Sequence, residues 1–105
     1  MQVMAKEDDE WTPAEVSAIV DDYLAMLAAE AADQPYSKTE HRRVLMPKLK
    51  PRRTRGAVEY KHGNISAVMI GLGMPYVRGY KPYGNYQTEL EDEITRRLLR
   101  PLPWP

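Results

Sequence analysis

Residues 11–32 read WTPAEVSAIVDDYLAMLAAEAA and carry the strongest helical signal in the chain. Thr12 can cap a helix, Pro13 suits its first position, and Glu15 lies three residues after Thr12, as a capping box requires. The residues that follow repeat at the spacing of one apolar helix face: Val16, Ile19, Val20, Tyr23, Leu24, Leu27 and Ala31. We therefore expect an amphipathic helix that ends near Ala32, where DQPYS (33–37) has the composition of a loop.

A second helix is predicted to begin at SKTE (37–40), where Ser37 and Glu40 repeat the capping-box pattern. Its apolar residues continue through Leu45 toward residue 49. Pro47 has no amide hydrogen and disfavours helical backbone at Met46, so we expect the helix to end or kink there. The residues KLKPRRTRG (48–56) are predicted to form a basic loop.

A third helix is predicted from about Arg55 to Leu72, with Gly73 placed to terminate it. One face carries the apolar residues Val58, Ile65, Val68, Met69 and Leu72. The opposite face carries small residues, namely Gly56, Gly63, Ala67 and Gly71. Such a row indicates close approach of another backbone, and we favour a neighbouring helix over a ligand.

A fourth helix is predicted after Asn85, which can cap it. Its apolar stripe consists of Tyr86, Leu90, Ile94 and Leu98. Asp92 and Arg96, like Glu93 and Arg97, are spaced four residues apart and should pair along the helix.

These segments predict an all-α fold, a compact bundle of about four helices with an arrangement similar to a helix-turn-helix. We divide the chain into a flexible acidic arm (1–10), a single helical domain (11–99) and a Pro-rich tail or linker (100–105). No convincing strand and no sequence repeat is found.

The net charge of zero hides a separation of charge along the chain. Residues 1–37 contain nine acids and one lysine, residues 38–81 contain eleven Lys or Arg and two acids, and the remainder contains three arginines and four acids. This pattern indicates a basic surface directed at an anion, with an acidic flank that neutralises it within the fold or keeps it from other partners.

Several functional classes lack support in the sequence. The absence of cysteine excludes disulfides, thiolate metal sites and a cysteine nucleophile, and suits a reducing cytoplasm. No apolar run approaches the roughly 18 residues that span a bilayer, so we expect no membrane partner and a cytoplasmic location. His41 and His62 would form a metal site only if their helices cross, and Asp21 and Asp22 are interpreted as parts of a solvated face. We therefore predict no enzymatic activity, no metal and no cofactor.

The segment HRRVLMPKLKPRRTRGAVEYKHGN (41–64) places basic residues on a helix, across a loop and into the next helix. Such an arrangement suits a phosphate backbone, which Lys and Arg bind together with free amides at helix N-termini. The predicted phosphate contacts are Arg42, Arg43, Lys48, Arg52, Arg53 and Arg55. The predicted selective contacts are Lys61, His62, Asn64, Arg78, Tyr80 and Lys81. The alternatives are that the basic run is a solvated face and that Asn64 hydrogen-bonds the Tyr80 loop.

The loop VRGYKPYGNYQ (77–87) contains three tyrosines among basic residues. The chain has no phenylalanine, so tyrosine must supply most of its aromatic core volume. Tyr23 and Tyr86 lie on apolar stripes and are assigned to the core. Tyr80 and Tyr83 either stack on nucleic-acid bases or pack inward, and both possibilities stay open.

Residues 52–87, RRTRGAVEYKHGNISAVMIGLGMPYVRGYKPYGNYQ, together with Trp11, Tyr23 and His41, carry a family resemblance. The chain resembles a small helical module near the N-terminus of some bacterial proteins related to modification-dependent or HNH-type restriction endonucleases. The resemblance covers about residues 11–99. PYSK (35–38) replaces an expected Asn-Lys pair, and Thr54 and Ala57 replace serines. The resemblance implies a DNA-targeting module of a defence-type protein, but it implies no cleavage activity, because the sequence contains no HNH nuclease.

We therefore expect a DNA-binding module that acts with a nuclease domain or a partner subunit. The alternative is a protein-interaction or oligomerisation module, in which the acidic first helix of one copy meets the basic segment of another.

Overall fold

A computed structural model of the protein describes residues 10–99, which form four α-helices and one short 3-10 helix. The α-helices are α1 (Pro13–Ala31), α2 (Lys38–Leu45), α3 (Arg55–Gly71) and α4 (Thr88–Leu98), and the 3-10 helix (Met46–Lys48) follows α2 directly. Residues 10–99 contain no strand, so the predicted all-α fold is confirmed. The predicted acidic arm, apart from Glu10, and the Pro-rich tail lie outside the described residues.

Helix α1 begins with the predicted capping box. The Thr12 hydroxyl accepts a hydrogen bond from the Glu15 amide at 3.2 Å, and the Glu15 carboxylate accepts one from the Thr12 amide at 3.0 Å. These bonds satisfy two backbone donors that a helix start leaves without intrahelical partners. The helix ends at Ala31, and Asp33 turns the chain with a φ of 55°.

Helix α2 is short because Pro47 limits it, as the sequence predicts. The Ser37 hydroxyl accepts a hydrogen bond from the Glu40 amide at 3.1 Å, which caps the helix start. The α-helical pattern ends at Leu45 and tightens into the 3-10 helix, which contains Pro47. The Leu49 amide closes this turn on the Met46 carbonyl at 3.0 Å.

Helix α3 is capped by Thr54, whose hydroxyl accepts a hydrogen bond from the Ala57 amide at 3.0 Å. Gly73 follows the helix with a φ of 73°, a conformation that glycine adopts without steric cost. The expectation that Leu72 joins the core is wrong, because this residue is the C-cap and its side chain is 38% exposed. The other apolar residues of the predicted face are buried: Val58, Ile65, Val68 and Met69.

Helix α4 begins later than the sequence indicates. Asn85 was expected to cap it, but Asn85 has a φ of 58°, whereas an N-cap residue needs extended backbone. The N-cap is Gln87, with extended backbone and no side-chain capping bond. Arg97 pairs with Glu93 at 2.7 Å as predicted, whereas Arg96 pairs with Glu93 rather than with Asp92.

Helix α1 is the centre of the bundle, because it packs against α2, α3 and α4. Its Tyr23 ring is fully buried, and the Tyr23 hydroxyl forms hydrogen bonds with the Ser66 hydroxyl and the Val77 amide, both at 2.8 Å. Tyr23 therefore joins α1 to α3 and to the loop that precedes α4, which we call the tyrosine loop (residues 74–87). The rest of the core is mainly aliphatic, with Ile19, Val20, Leu90 and Ile94 among its residues, and it also contains Trp11.

The small-residue face of α3 contacts the tyrosine loop at Gly63, and not a helix as we expected. The Tyr83 amide donates to the Gly63 carbonyl at 3.0 Å. A Cβ atom at Gly63 would overlap the Tyr83 ring and lie 2.5 Å from the Lys81 carbonyl oxygen. A Cβ atom at Gly71 would meet nothing within 4 Å. Glycine at position 63 is thus explained by the close approach of an irregular backbone segment.

Candidate nucleic-acid interface

A basic surface extends from α2 across the 3-10 helix to the first turn of α3. The segment 41–58 contains no Asp or Glu, so no acid interrupts it. Six of its cations are exposed or partly exposed, and we define the basic surface by them: Arg42, Arg43, Lys48, Lys50, Arg52 and Arg55. All are predicted phosphate contacts except Lys50, which sequence analysis did not single out.

Acids contact this surface at its edges. Arg43 pairs with Glu40 in the preceding turn, and its hydrogen bond and charge lower the pKa of that carboxyl. Arg55 pairs with Glu59 at 3.5 Å. All four side chains are about half exposed or more, and such exposed pairs contribute little to stability and exchange readily for other partners.

Arg53 was predicted to contact phosphate, but it lies inside the protein. Its guanidinium donates to both carboxylate oxygens of Glu15 at 3.0 Å and to the Glu10 carbonyl at 2.7 Å, and it lies 4.7 Å from the centre of the Trp11 ring. Burial alone would raise the pKa of Glu15. The hydrogen bonds from Arg53 and from the Lys50 and Thr12 amides outweigh burial and lower this pKa to about 2.

Lys61 is a second basic residue that the fold buries. Its ammonium donates to the Gln87 side-chain oxygen at 3.3 Å and lies 5.2 Å from the centre of the Trp11 ring. Burial, together with the charge of Arg53, lowers the pKa of Lys61 to about 8. Trp11 therefore has two cations near its ring, and only Arg53 is paired with a carboxylate among the described ion pairs.

Both histidines of the chain hydrogen-bond one carboxylate. His41 Nδ1 lies 2.8 Å from Asp22 Oδ1, and His62 Nε2 lies 3.0 Å from Asp22 Oδ2. The Asp22 side chain is only 10% exposed, so its assignment to a solvated face is wrong, while Asp21 is 68% exposed. His62 is buried and therefore faces the interior rather than a base edge.

Two structural findings in the described part of the chain concern metals and membranes. Residues 10–99 contain no group of three or more His, Cys, Asp or Glu side chains arranged to hold a metal ion. Within the same range, no helix has the combined length and apolar character needed to cross a bilayer.

Asn64 binds the tyrosine loop, as the alternative interpretation of this residue proposes. Its side-chain nitrogen donates to the Tyr83 carbonyl at 2.6 Å and to the Gly84 carbonyl at 3.0 Å. Asn64 is buried, and these two bonds hold the tyrosine loop against α3. The sequence signal for this role was the position of Asn64 on the same helix face as Gly63 and Tyr60.

The three loop tyrosines have different environments. Tyr80 is half-buried and stacks on His62 with ring centres 4.5 Å apart, and burial together with the charge of Asp22 raises its pKa to about 12. Tyr83 is 42% exposed and stacks on Tyr60 at 5.0 Å. Tyr86 packs against the core, as expected.

The remaining predicted contacts are on the loop surface. Arg78 and Lys81 are exposed, and the Arg78 carbonyl accepts a hydrogen bond from Lys38 Nζ at 3.0 Å. The Arg78 amide donates to Glu30 at 3.1 Å. The loop backbone is therefore held by α1 and α2 while these two basic side chains extend from it.

A cavity of about 440 Å³ lies between the start of α1, one face of α3 and the end of the tyrosine loop. We call it the Lys61 cavity, and its lining residues include Glu10, Trp11, Arg53, Tyr60, Lys61, Asn64, Asn85 and Gln87. Sequence analysis gave no binding role to Trp11, Tyr60, Asn85 or Gln87. The available signal was the spacing of residues 57, 60, 61 and 64, which lie on one helix face.

Comparison of the chain with protein-family models, curated protein sequences and solved structures returned no match. The resemblance to modules of restriction-type proteins therefore stays a prediction.

Proposed function

We propose that this chain is a DNA-binding module of a bacterial restriction- or defence-type protein, and that its basic surface contacts DNA phosphates. The observation that carries the proposal is the distribution of charge after folding. Six cations lie on one continuous chain segment without an intervening acid, and the exposed pairs at its edges are weak. A phosphate backbone supplies a row of anions that exposed Lys and Arg side chains can bind.

The start of α3 supports this proposal. A helix N-terminus presents backbone amides and the positive end of the helix dipole, which together favour phosphate. Thr54 caps only the Ala57 amide, and a Cβ atom at Gly56 would meet only the Thr54 hydroxyl, at 3.9 Å. A phosphate group can therefore approach the first turn of α3. This turn begins at Arg55, and Arg52 lies three residues before it in the sequence.

The buried residue Arg53 does not contact phosphate in this proposal. Arg53 and Glu15 hold the basic segment against α1, so Arg53 positions the phosphate contacts instead of making one. Arg78 and Lys81 on the tyrosine loop are the exposed candidates for more selective contacts. Asn64, His62 and Tyr80 shape that loop from beneath through hydrogen bonding and stacking.

The alternative of self-association through acidic and basic halves has less support. It requires the carboxylates of α1 to be available to another copy, yet these groups have partners within the chain. Glu15 binds Arg53, Asp21 binds Arg97 at 2.5 Å, and Asp22 binds the two histidines. These three carboxylates are therefore already engaged by side chains of their own fold.

Fluorescence anisotropy of labelled duplex and single-stranded DNA, at two salt concentrations, tests the proposal. If all six cations contact phosphate, the logarithm of the binding constant should fall with the logarithm of salt concentration with a slope of about −5. Lys48→Glu and Arg52→Glu should each weaken binding to all sequences equally and reduce that slope by about 1. Arg96→Glu on α4 is the matched control, because Arg96 is exposed and lies outside the basic surface.

Binding that is unchanged in Lys48→Glu and Arg52→Glu would remove the phosphate role of the basic surface. Light scattering at increasing protein concentration checks the alternative. Self-association that high salt dissolves, without retention of DNA, would favour the interaction module and contradict the DNA-binding proposal.

A further inference from the structure

The Lys61 cavity contains a buried cation that forms no ion pair among the described residues, although the exposed residue Glu10 also lines the cavity. Lys61 is 7% exposed, and its ammonium has the Gln87 oxygen as its hydrogen-bond acceptor at 3.3 Å. An ammonium can donate three hydrogen bonds, and a buried charge without an anionic partner is unfavourable. The charge of Glu15 acts on Lys61, but this carboxylate binds Arg53 through both of its oxygens. An anion that reaches Lys61 would therefore supply the ion-pair partner that this ammonium lacks among the described residues.

The cavity wall also suits a planar aromatic group. The Tyr60 ring lines the cavity and is held by stacking on Tyr83, with the ring planes only 20° apart. Rings held in this way form platforms on which bases stack, with a contribution of about 1–3 kcal/mol per base. Trp11 forms a second aromatic part of the wall.

Three side-chain amides line the same cavity, and Asn85 and Gln87 are the two that do not hold the tyrosine loop against α3 as Asn64 does. The Gln87 oxygen accepts hydrogen bonds from the Trp11 amide and from Lys61 Nζ, both at 3.3 Å, so the orientation of this side chain is fixed. Asn85 is held by loop backbone in the left-handed conformation. Asn and Gln recognise base edges because they combine a donor and an acceptor in one plane.

From this combination we infer that the Lys61 cavity binds a single nucleotide, with its phosphate near Lys61 and its base on the Tyr60 side. This inference rests on the proposed DNA-binding function. It adds that one nucleotide of the DNA enters the cavity. A cavity of about 440 Å³ falls in the range of about 300–1,000 Å³ typical of small-molecule sites, so it admits one nucleotide and excludes a duplex. We expect this nucleotide to be extruded from a DNA strand. A free nucleotide offers the same phosphate and base and is the alternative ligand.

Protonation of Lys61 should make the affinity for a nucleotide depend on pH. Burial and the charge of Arg53 lower the pKa of Lys61 to about 8, although the charge of Glu15 opposes them, and a phosphate beside Lys61 would raise it. Because the phosphate favours the charged amine, affinity should be constant below pH about 8 and should fall as pH rises above it.

The test compares duplexes that differ only in one mismatched base pair. A mismatched base is extruded at lower energetic cost, so wild-type protein should bind the mismatched duplex on the order of tenfold more tightly than the paired duplex. The readout is this ratio of affinities in anisotropy titrations. Lys61→Met and Gln87→Glu should each reduce the ratio to about one, whereas the control Arg96→Met should retain it.

Gln87→Glu should remove nucleotide binding while the protein stays folded. It places a carboxylate beside Lys61, which compensates the buried cation while repelling a phosphate. It also puts an acid at the start of α4, where the helix dipole favours one. Thermal unfolding should show that this variant is at least as stable as wild type.

Calorimetric titration of the four nucleoside 5′-monophosphates into the protein separates the possible sources of the nucleotide. Binding of a free monophosphate that Gln87→Glu abolishes, without any mismatch preference, would retain the nucleotide site and overturn extrusion. A ratio of one in wild type together with no monophosphate binding would overturn the inference. Monophosphate binding without DNA binding would instead overturn the proposed function while the nucleotide site stands.

Discussion

Arg53 and Glu15 form a bidentate ion pair inside the protein. Arg53 Nε donates to Glu15 Oε2 and Arg53 Nη2 donates to Glu15 Oε1, both at 3.0 Å. The two side chains are only 6% and 4% exposed. Glu15 also accepts hydrogen bonds from the Thr12 and Lys50 amides. One carboxylate therefore connects the start of α1 to the segment that carries the basic surface.

Removing one partner of this pair should strongly destabilise the fold. Arg53→Met leaves the Glu15 carboxylate buried without its cation, and breaking buried pairs in this way costs about 3–5 kcal/mol. Urea denaturation monitored by circular dichroism measures the loss. Asp21→Asn is the control, because it breaks an exposed pair with Arg97 and should cost less than about 1 kcal/mol. A loss below 1 kcal/mol in Arg53→Met would show that the buried pair is not structural.

Glu15 should also contribute to unfolding in acid. Burial opposes its ionisation, but the bonds from Arg53 and the two amides hold its pKa at about 2, below the usual value of 4.5. The folded state thus favours the charged form more than the unfolded state does. The stabilisation is complete above pH 4.5 and is lost as pH falls toward 2. The difference in unfolding free energy between wild type and Glu15→Gln should shrink over that window, and a difference independent of pH would contradict this account.

Gly63→Ala should destabilise the protein, because its methyl group overlaps the Tyr83 ring and the Lys81 carbonyl. Overpacking of this kind typically costs about 1–3 kcal/mol. Gly71→Ala on the same helix is the matched control, since its methyl group meets nothing within 4 Å. Alanine is favoured over glycine in helices, so the control should be neutral or more stable by up to about 1 kcal/mol. Thermal unfolding of the two variants should shift in opposite directions or differ by several degrees, and equal shifts would exclude the close loop contact.

Tyr23→Phe should loosen the tyrosine loop from the bundle. The change removes the hydroxyl that binds the Val77 amide and the Ser66 hydroxyl, which leaves buried polar groups without a partner, at a cost of about 1–3 kcal/mol. Hydrogen exchange at the Val77 amide should accelerate more than exchange in the centre of α1. Tyr83→Phe, at a 42% exposed position, should leave the Val77 exchange rate unchanged. Uniform acceleration across the fold in Tyr23→Phe would indicate global destabilisation without a specific loop contact.

Several elements could be predicted from the sequence because their signals act over a few residues. The Thr12 and Glu15 capping box, the stop imposed by Pro47 and the termination at Gly73 were all found where the sequence indicates them. The cap at Asn85 was wrong for a related reason. Asn is favoured both at helix caps and in left-handed loop positions, and local sequence does not distinguish the two.

The candidate site was harder to predict, because long-range contacts decide which basic residues stay on the surface. Arg52 and Arg53 are adjacent and chemically identical, yet Arg52 is exposed and Arg53 is buried. The difference comes from Glu15, 38 residues earlier in the chain, whose carboxylate binds Arg53. Nothing near Arg53 in the sequence indicates that pair.

The sequence by itself determined the four helices and the separation of charge, because capping, proline and apolar spacing act between close neighbours in the chain. Only the tertiary structure decided that Glu15 removes Arg53 from the basic surface. It also brought Gln87 to Lys61 across 26 residues and formed the cavity that both residues line. Burial and ion pairing depend on distance in space, and in a bundle that distance is set by helix packing rather than by separation along the chain.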